Sequence, residues 1–214
     1  MSAILLILTF FELMLAPLAA KEPTLTNGMA AKVGSYDITI QDAYWYRFLE
    51  RFVGGSDHPL EMEKGVELRR TVQRLVLEQM VLEEVKDLDM SLPKKAEIQS
   101  HLKKSRTKPG RESLFQKALK TLGRTEAEAV EQLTRKAHVD LFLKKKMETL
   151  MPIITQAEVM SYLEQNSDKL VKRDGAPIEA NVRILLQEQR LERNMEEWVN
   201  YLKGKYKVTN YLEL

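Results

Sequence analysis

The ten residues Val33-Gly34-Ser35-Tyr36-Asp37-Ile38-Thr39-Ile40-Gln41-Asp42 constrain this chain more than any other stretch. Gly34 supplies a backbone free to turn between two short runs. Thr39 stands three residues before Asp42, an acid able to reach back toward the open amides of a first helical turn. A strand, a turn and a second strand that passes directly into a capped helix are therefore expected.

Helical punctuation continues from there. Ile40, Ala43, Tyr44, Phe48, Leu49 and Phe52 recur at near-helical spacing, and Gly54-Gly55-Ser56-Asp57-His58-Pro59 ends the run. A long central helix is expected from about Glu61 to Leu88. In it Leu75, Val76, Leu77, Met80, Val81 and Leu82 crowd all sides of the cylinder, which predicts neighbours on two faces. Ser91 is placed to cap a helix holding Ile98 and Leu102. Pro109-Gly110 separates that helix from Leu114, Phe115, Leu119 and Leu122, with Gly123 as a C-terminal stop. Thr125 to Glu128 and Thr155 to Glu158 each have the spacing of a capping box. The first opens a helix through Leu133, Ala137, Leu141 and Phe142 to Leu150, broken by Pro152, and the second a short helix ending near Asn166.

Residues 167–180 are polar, contain Gly175 and Pro177, and read as a loop. From Val182 a closing helix follows, with Ile184, Leu191, Met195, Trp198, Leu202 and Tyr206 as its apolar seam. Lys207 to Leu212 then looks extended. A lone strand is not stable in water, and the other strands lie at the N-terminal hairpin, so Val33 and Val208 are expected in one sheet. The fold class is mainly α, a helical module with a small β-hairpin and terminal sheet.

Of the 214 residues, 44% are hydrophobic, 30% charged and 7% aromatic, a balance suited to a soluble helical protein rather than a disordered one. The run Ala3 to Leu15 is almost wholly apolar and is followed by Ala16-Pro17-Leu18-Ala19-Ala20 and then charge, the pattern of a secretory signal peptide. It is shorter than the ~20 residues that span a bilayer as a helix, so cleavage near Ala20 and no stable membrane anchor afterwards are expected. With no cysteine, disulfides, thiol nucleophiles and thiolate metal sites are excluded. The net charge is only +2, and the basic runs at Lys103 to Lys108 and Lys144 to Lys146 lack interleaved aromatic residues, so no nucleic-acid partner is expected.

Groups that could perform chemistry do not assemble in the sequence. His58, His101 and His138 are far apart and outside any zinc-binding spacing. No glycine-rich phosphate loop or nucleophile turn occurs, and Glu83-Glu84 reads as a charged helix edge. No catalytic residue, metal ligand or cofactor is expected. Binding is another matter. Tyr44, Trp45 and Tyr46 are consecutive, and each helical residue is turned by about a hundred degrees from the last, so at least one should face outward. Met62, Met80, Met147, Met151 and Met160 add flexible, polarizable side chains of the kind permissive binders use. The candidate binding residues are therefore Tyr44, Trp45, Tyr46, Met62, Met80, Met147 and Met151.

The opening Ala31 to Phe52, the helix Val72 to Val85, the segment Phe115 to Gly123, the stretch Ile154 to Asn166 and the ending Trp198 to Lys203 followed by Val208 come in an order that resembles SurA-like periplasmic chaperones. With the signal peptide read over 1–20, the resemblance implies one chaperone module over 21–214. That module comprises a hairpin and helices over 29–166, a loop over 167–180, and a closing helix and strand over 182–212. Relatives of this kind commonly carry parvulin prolyl-isomerase domains where 167–180 lies, a gap far below the ~50 residues of the smallest folded domains. The resemblance thus implies a periplasmic protein that holds unfolded outer-membrane or secreted proteins without ATP and without isomerase activity. A dedicated scaffold binding one folded partner is the alternative, and a homodimer remains open.

Overall fold

The computed structural model describes residues 28–56, 58–59, 65–86, 94–166 and 178–212. The elements run β1 (Met29–Val33), β2 (Tyr36–Thr39), α1 (Ile40–Val53), α2 (Val66–Val85), α3 (Lys95–Arg106), α4 (Arg111–Thr121), α5 (Glu126–Leu150), α6 (Gln156–Gln165), α7 (Ile178–Lys205) and β3 (Val208–Asn210). The protein is mainly helical with one small sheet. The described residues form two compact units, one from those up to Phe142 together with those from Lys203, the other from those within Leu143–Leu202.

The hairpin forms as its residues dictate. Gly34 has φ +58° at the first central position of the turn, where a type II′ turn takes glycine, and Val33 pairs with Tyr36 across it. Ala31 opposes Ile38 and Met29 opposes Thr39, so Ala30 is the extra residue of a bulge. Strand order is β2-β1-β3, all antiparallel, with Val33 opposite Val208 and Ala31 opposite Asn210. The expected pairing of the two ends of the chain is thus present. Two further bonds secure it: the Gly34 amide donates to the Tyr206 carbonyl at 2.8 Å and the Tyr211 amide to the Ala30 carbonyl at 2.9 Å.

Each expected capping box closes. The Thr39 amide donates to Asp42 at 2.8 Å and the Asp42 amide to Thr39 Oγ1 at 3.1 Å. The corresponding pairs are 2.7 and 3.2 Å for Thr125 and Glu128, and 2.8 and 3.3 Å for Thr155 and Glu158. These bonds satisfy amides that the first turn of a helix leaves open. Gly123, at φ +58°, ends α4. The Arg124 amide reaches the Leu119 carbonyl at 2.8 Å and the Gly123 amide reaches Lys120 at 3.4 Å, the two bonds of a Schellman motif.

Other boundaries move. Residues 61–64 and 87–93 lie outside the described residues, and with them Ser91; α3 instead begins after Lys94, which makes no side-chain cap. The closing helix starts at Ile178, four residues before the expected Val182. Its seam also differs: Ile184 is exposed, because Val182 is buried and a residue two positions on is turned some 200° around the helix. The terminal strand is limited to Val208–Asn210.

The first unit's main core joins Trp45, Phe48, Leu49 and Phe52 of α1 to Leu102, Phe115, Ala118, Leu122, Ala129 and Val130. Its aromatic centre is close-packed, with ring centroids 5.4 Å apart for Phe48 and Phe52 and 5.3 Å for Phe52 and Phe115. Helix α2 packs against α1 and both hairpin strands, as its all-round apolar pattern requires. Arg111 is buried beside this core and is satisfied by three carbonyls, those of Phe52, Ser56 (3.0 Å) and Ser105 (2.8 Å). Its guanidinium lies 4.3 Å from the Phe52 ring centroid, so one side chain closes the end of α1 and covers the core. In the second unit Ile154, Val159 and Val182 form a smaller core flanked by Tyr162, Leu163, Ile178 and Leu186.

Candidate functional site

The candidate binding residues separate by burial. Trp45, Tyr46, Met80 and Met147 are core residues, Tyr44 is half-buried, Met151 is exposed, and Met62 lies outside the described residues. The expectation that the first four present a binding surface is corrected by this packing. Helix α1 is flanked by α2, α3 and β2, so consecutive positions turned a hundred degrees apart can all be covered. Trp45 stacks on Phe48 with centroids 5.7 Å apart. Tyr46 sits under Lys136, whose Nζ is 5.9 Å from its ring, and burial, helped by Glu78 and Glu50, holds its hydroxyl protonated far above the usual range. Tyr44, the outermost of the three, still packs against the aromatic core.

The large apolar side chains that do reach solvent are different ones. In the second unit they are Met151, Ile153, Met160, Ile184 and Tyr201, of which Ile153 is 86% exposed. Ile153 follows Pro152 in the connection between α5 and α6, beside the buried Ile154 that anchors the small core. The connection is held in place by Asn194 of α7 donating to the Leu150 carbonyl at 3.0 Å and Gln187 donating to that of Pro152 at 3.4 Å. Met151 and Ile153 are therefore displayed on a backbone tied down at two points. In the first unit Met29, Tyr36, Val66 and Tyr211 are exposed.

An open groove of about 710 Å³ lies in the first unit between α3, α4 and α5. Lys95, Gln99 and Lys103 line it from α3, Glu112 from α4, and Glu126, Ala127 and Val130 from α5. Arg106 clamps one side, donating to both oxygens of Glu112 at 2.6 and 2.8 Å and to Glu126 at 2.5 Å, with its guanidinium 4.9 Å from the Phe115 ring. The Arg106 hydrogen bond, with help from Gln116, pulls the Glu112 carboxyl down to about 2. A bidentate clamp of this kind fixes the groove wall; Lys95 and Lys103 leave it basic along α3.

A polar cluster lies where α2 meets α5. Glu78, 3% exposed, accepts a hydrogen bond from Gln132 Nε2 at 2.7 Å. Its nearest cation, Arg135, stands off with Nε 3.9 Å away. Arg135 instead donates to Gln79 Oε1 at 2.8 Å and to the Tyr36 hydroxyl at 3.2 Å, its guanidinium over the Tyr36 ring. Burial pushes the Glu78 carboxyl up to about 7, against the pull of Arg135, Gln132 and Lys136. A cavity of about 170 Å³ adjoins the cluster, lined among others by Tyr36, Asp42, Arg124, Gln132 and Arg135. Glu78 carries a signal in the sequence that is easily passed over, an acid set among Leu75, Val76, Met80 and Val81.

The histidines stay apart in the structure: His58 and His101 are exposed, while His138 on α5 is half-buried and desolvation lowers its pKa. Glu83 pairs with Lys86 at 2.5 Å, and Glu84 accepts from Lys205 at 2.5 Å and from the Tyr206 hydroxyl at 2.6 Å, so this acidic pair fastens helix ends. Among the described residues no group of three or more His, Cys, Asp or Glu is arranged to hold a metal ion, and no helix is long and apolar enough to cross a membrane. No protein family, curated protein or solved structure matches the chain.

Proposed function

We propose that this chain is an ATP-independent chaperone of the periplasm that holds unfolded outer-membrane or secreted proteins. The observation that carries the reading is the return of the C-terminal strand to the N-terminal hairpin, with Val208 opposite Val33. It is the closure that the resemblance to SurA-like chaperones implies for a module whose first and last segments belong together. The exposed Met151, Ile153, Met160 and Ile184, and the groove along α3, supply apolar and mixed surface for extended client segments. Binding of this kind rests on apolar burial at roughly 25 cal/mol per Å², which tolerates many client sequences. The stretch between Asn166 and Ile178 is too short for an isomerase domain, so the chaperone acts without prolyl isomerisation.

The test is suppression of aggregation of a denatured β-barrel protein by the purified chain, without ATP and at near-stoichiometric ratio. Prolyl exchange in a reporter peptide stays at its uncatalysed pace of tens to hundreds of seconds. Failure to protect several unrelated unfolded clients, together with tight binding of one folded partner, overturns this reading in favour of a dedicated scaffold.

A further inference from the structure

A carboxylate taken out of water needs compensation from several hydrogen bonds or a closely docked cation. Glu78 has one neutral donor, Gln132, and a cation that stops at 3.9 Å. The shortfall is matched on the other side, since Arg135 Nε is buried and makes no hydrogen bond among the described residues. Two groups of opposite charge thus face one another across a gap slightly too wide for contact. What keeps Arg135 away is visible: its other nitrogens are engaged by Gln79 and by Tyr36 of the hairpin.

We propose that Glu78, Gln132 and Arg135 form a proton-operated clasp between α2 and α5, whose state decides whether Arg135 stays on the hairpin residue Tyr36 or turns to Glu78. With the carboxyl neutral, Gln132 holds it and Arg135 rests on Tyr36 and Gln79. With the proton lost, the buried anion draws Arg135 Nε across the gap, and the hydrogen bond and stacking on Tyr36 are given up. The arrangement requires rotation of one side chain and no movement of a helix.

The cavity beside Arg135 also carries Asp42, Arg124, Glu128 and Glu131; Arg124 pairs with Asp42 at 2.6 Å and with Glu128 at 3.2 Å, and Glu131 lies exposed on α5. From α5, Lys136 and Asp140 also face the cluster, and they pair with each other at 3.5 Å. From α1, Tyr46 faces Glu78 and stays protonated, and the neighbouring Glu50 is bridged by Arg47 at 2.6 Å and by Arg74 of α2 at 3.4 Å. On the hairpin, Lys32 and Asp37 pair at 3.1 Å, which leaves Tyr36 as the group that reaches the cluster through Arg135. A carboxyl whose folded pKa lies near 7 while its unfolded value is about 4.5 stabilises the fold fully below the lower value. That contribution is lost as pH rises through about 7.

The experiment pairs two readouts on the whole chain. Thermal unfolding of the wild type from about pH 5 to about pH 9 should show a midpoint falling by several degrees across neutrality, a slope that Glu78→Gln flattens. Carbon-13 NMR of labelled glutamate side chains should show one carboxyl titrating near neutrality, absent in Glu78→Gln, and the Tyr36 ring and Arg135 Nε signals should shift with the same midpoint. Should Glu78→Gln fail to fold, the wild-type titration and its Tyr36 response still decide the matter, with Tyr36→Phe as the control that removes the hydroxyl partner. Titration of every glutamate below about pH 5, or a Glu78 titration that leaves the Tyr36 and Arg135 signals unmoved, overturns the clasp.

Discussion

Arg124 donates through Nη2 to Asp42 Oδ1 at 2.6 Å, joining the residue just past the end of α4 to the acid that closes the capping box of α1. Beside it Gln41 donates to the Leu122 carbonyl at 2.6 Å. The end of one helix and the start of another, distant in sequence, are thus stitched by side chains that also shape their own termini. Asp42→Ala should lower stability by about 1–2 kcal/mol, through loss of the cap and the ion pair together. A double-mutant cycle with Arg124→Ala, read by urea denaturation, should give a coupling of about 0.5–1 kcal/mol. A zero coupling would show that the pair is incidental.

Trp45 and Ile153 should respond in opposite ways. Trp45, 3% exposed against Phe48, should cost about 3–5 kcal/mol on truncation to Ala, and any loss of client protection should follow from the lost stability. Ile153→Asp, at an 86% exposed site, should change stability by no more than about 0.5 kcal/mol yet weaken client protection. Paired melting and aggregation assays separate the two. Undiminished protection by Ile153→Asp would remove that side chain from the proposed binding surface.

Removal of the chain after Lys205 deletes β3, the Tyr206 hydrogen bond to Glu84 and the carbonyl that receives the Gly34 amide. With several net hydrogen bonds at about 0.5–1.5 kcal/mol each, the loss should be about 2–4 kcal/mol. Equal melting temperatures for the truncated and full chains would contradict it.

In the second unit the acid limb of stability should report on Glu158. The Thr155 amide, then Arg190 at 2.5 Å, pull its carboxyl down to about 2. A depressed folded pKa gives stability that is present above the usual carboxylate range and lost as pH falls toward about 2. Hydrogen exchange at α6 amides should therefore be faster in Glu158→Gln than in the wild type at neutral pH, with the difference vanishing near the acid end. A difference of constant size at all pH values would rule out the carboxylate as its cause.

Local features were legible and shared ones were not. The Thr39, Thr125 and Thr155 caps are settled by residues three apart, and Gly123 by its freedom at positive φ, so the sequence alone reveals them. The Val33 to Val208 pairing was legible for a different reason, because a strand without a partner leaves its amides unsatisfied. The burial of Trp45 and Tyr46 depends on how many neighbours surround α1, which no periodicity within α1 encodes. Arg111 was hidden for the same reason. Its three partners are backbone carbonyls from two other segments, which any residue type can supply.

The strand order β2-β1-β3 has a consequence for how the protein is made. β1 and β2 pair as soon as they are both available, whereas β3 comes from the far end of the chain, so one side of β1 keeps its hydrogen-bonding groups unmet while every helix is still emerging. During synthesis the nascent hairpin offers an open edge to any extended segment nearby until β3 occupies it. The final strand is in this sense a timer: until it docks, the molecule is itself in the condition of an unfinished protein.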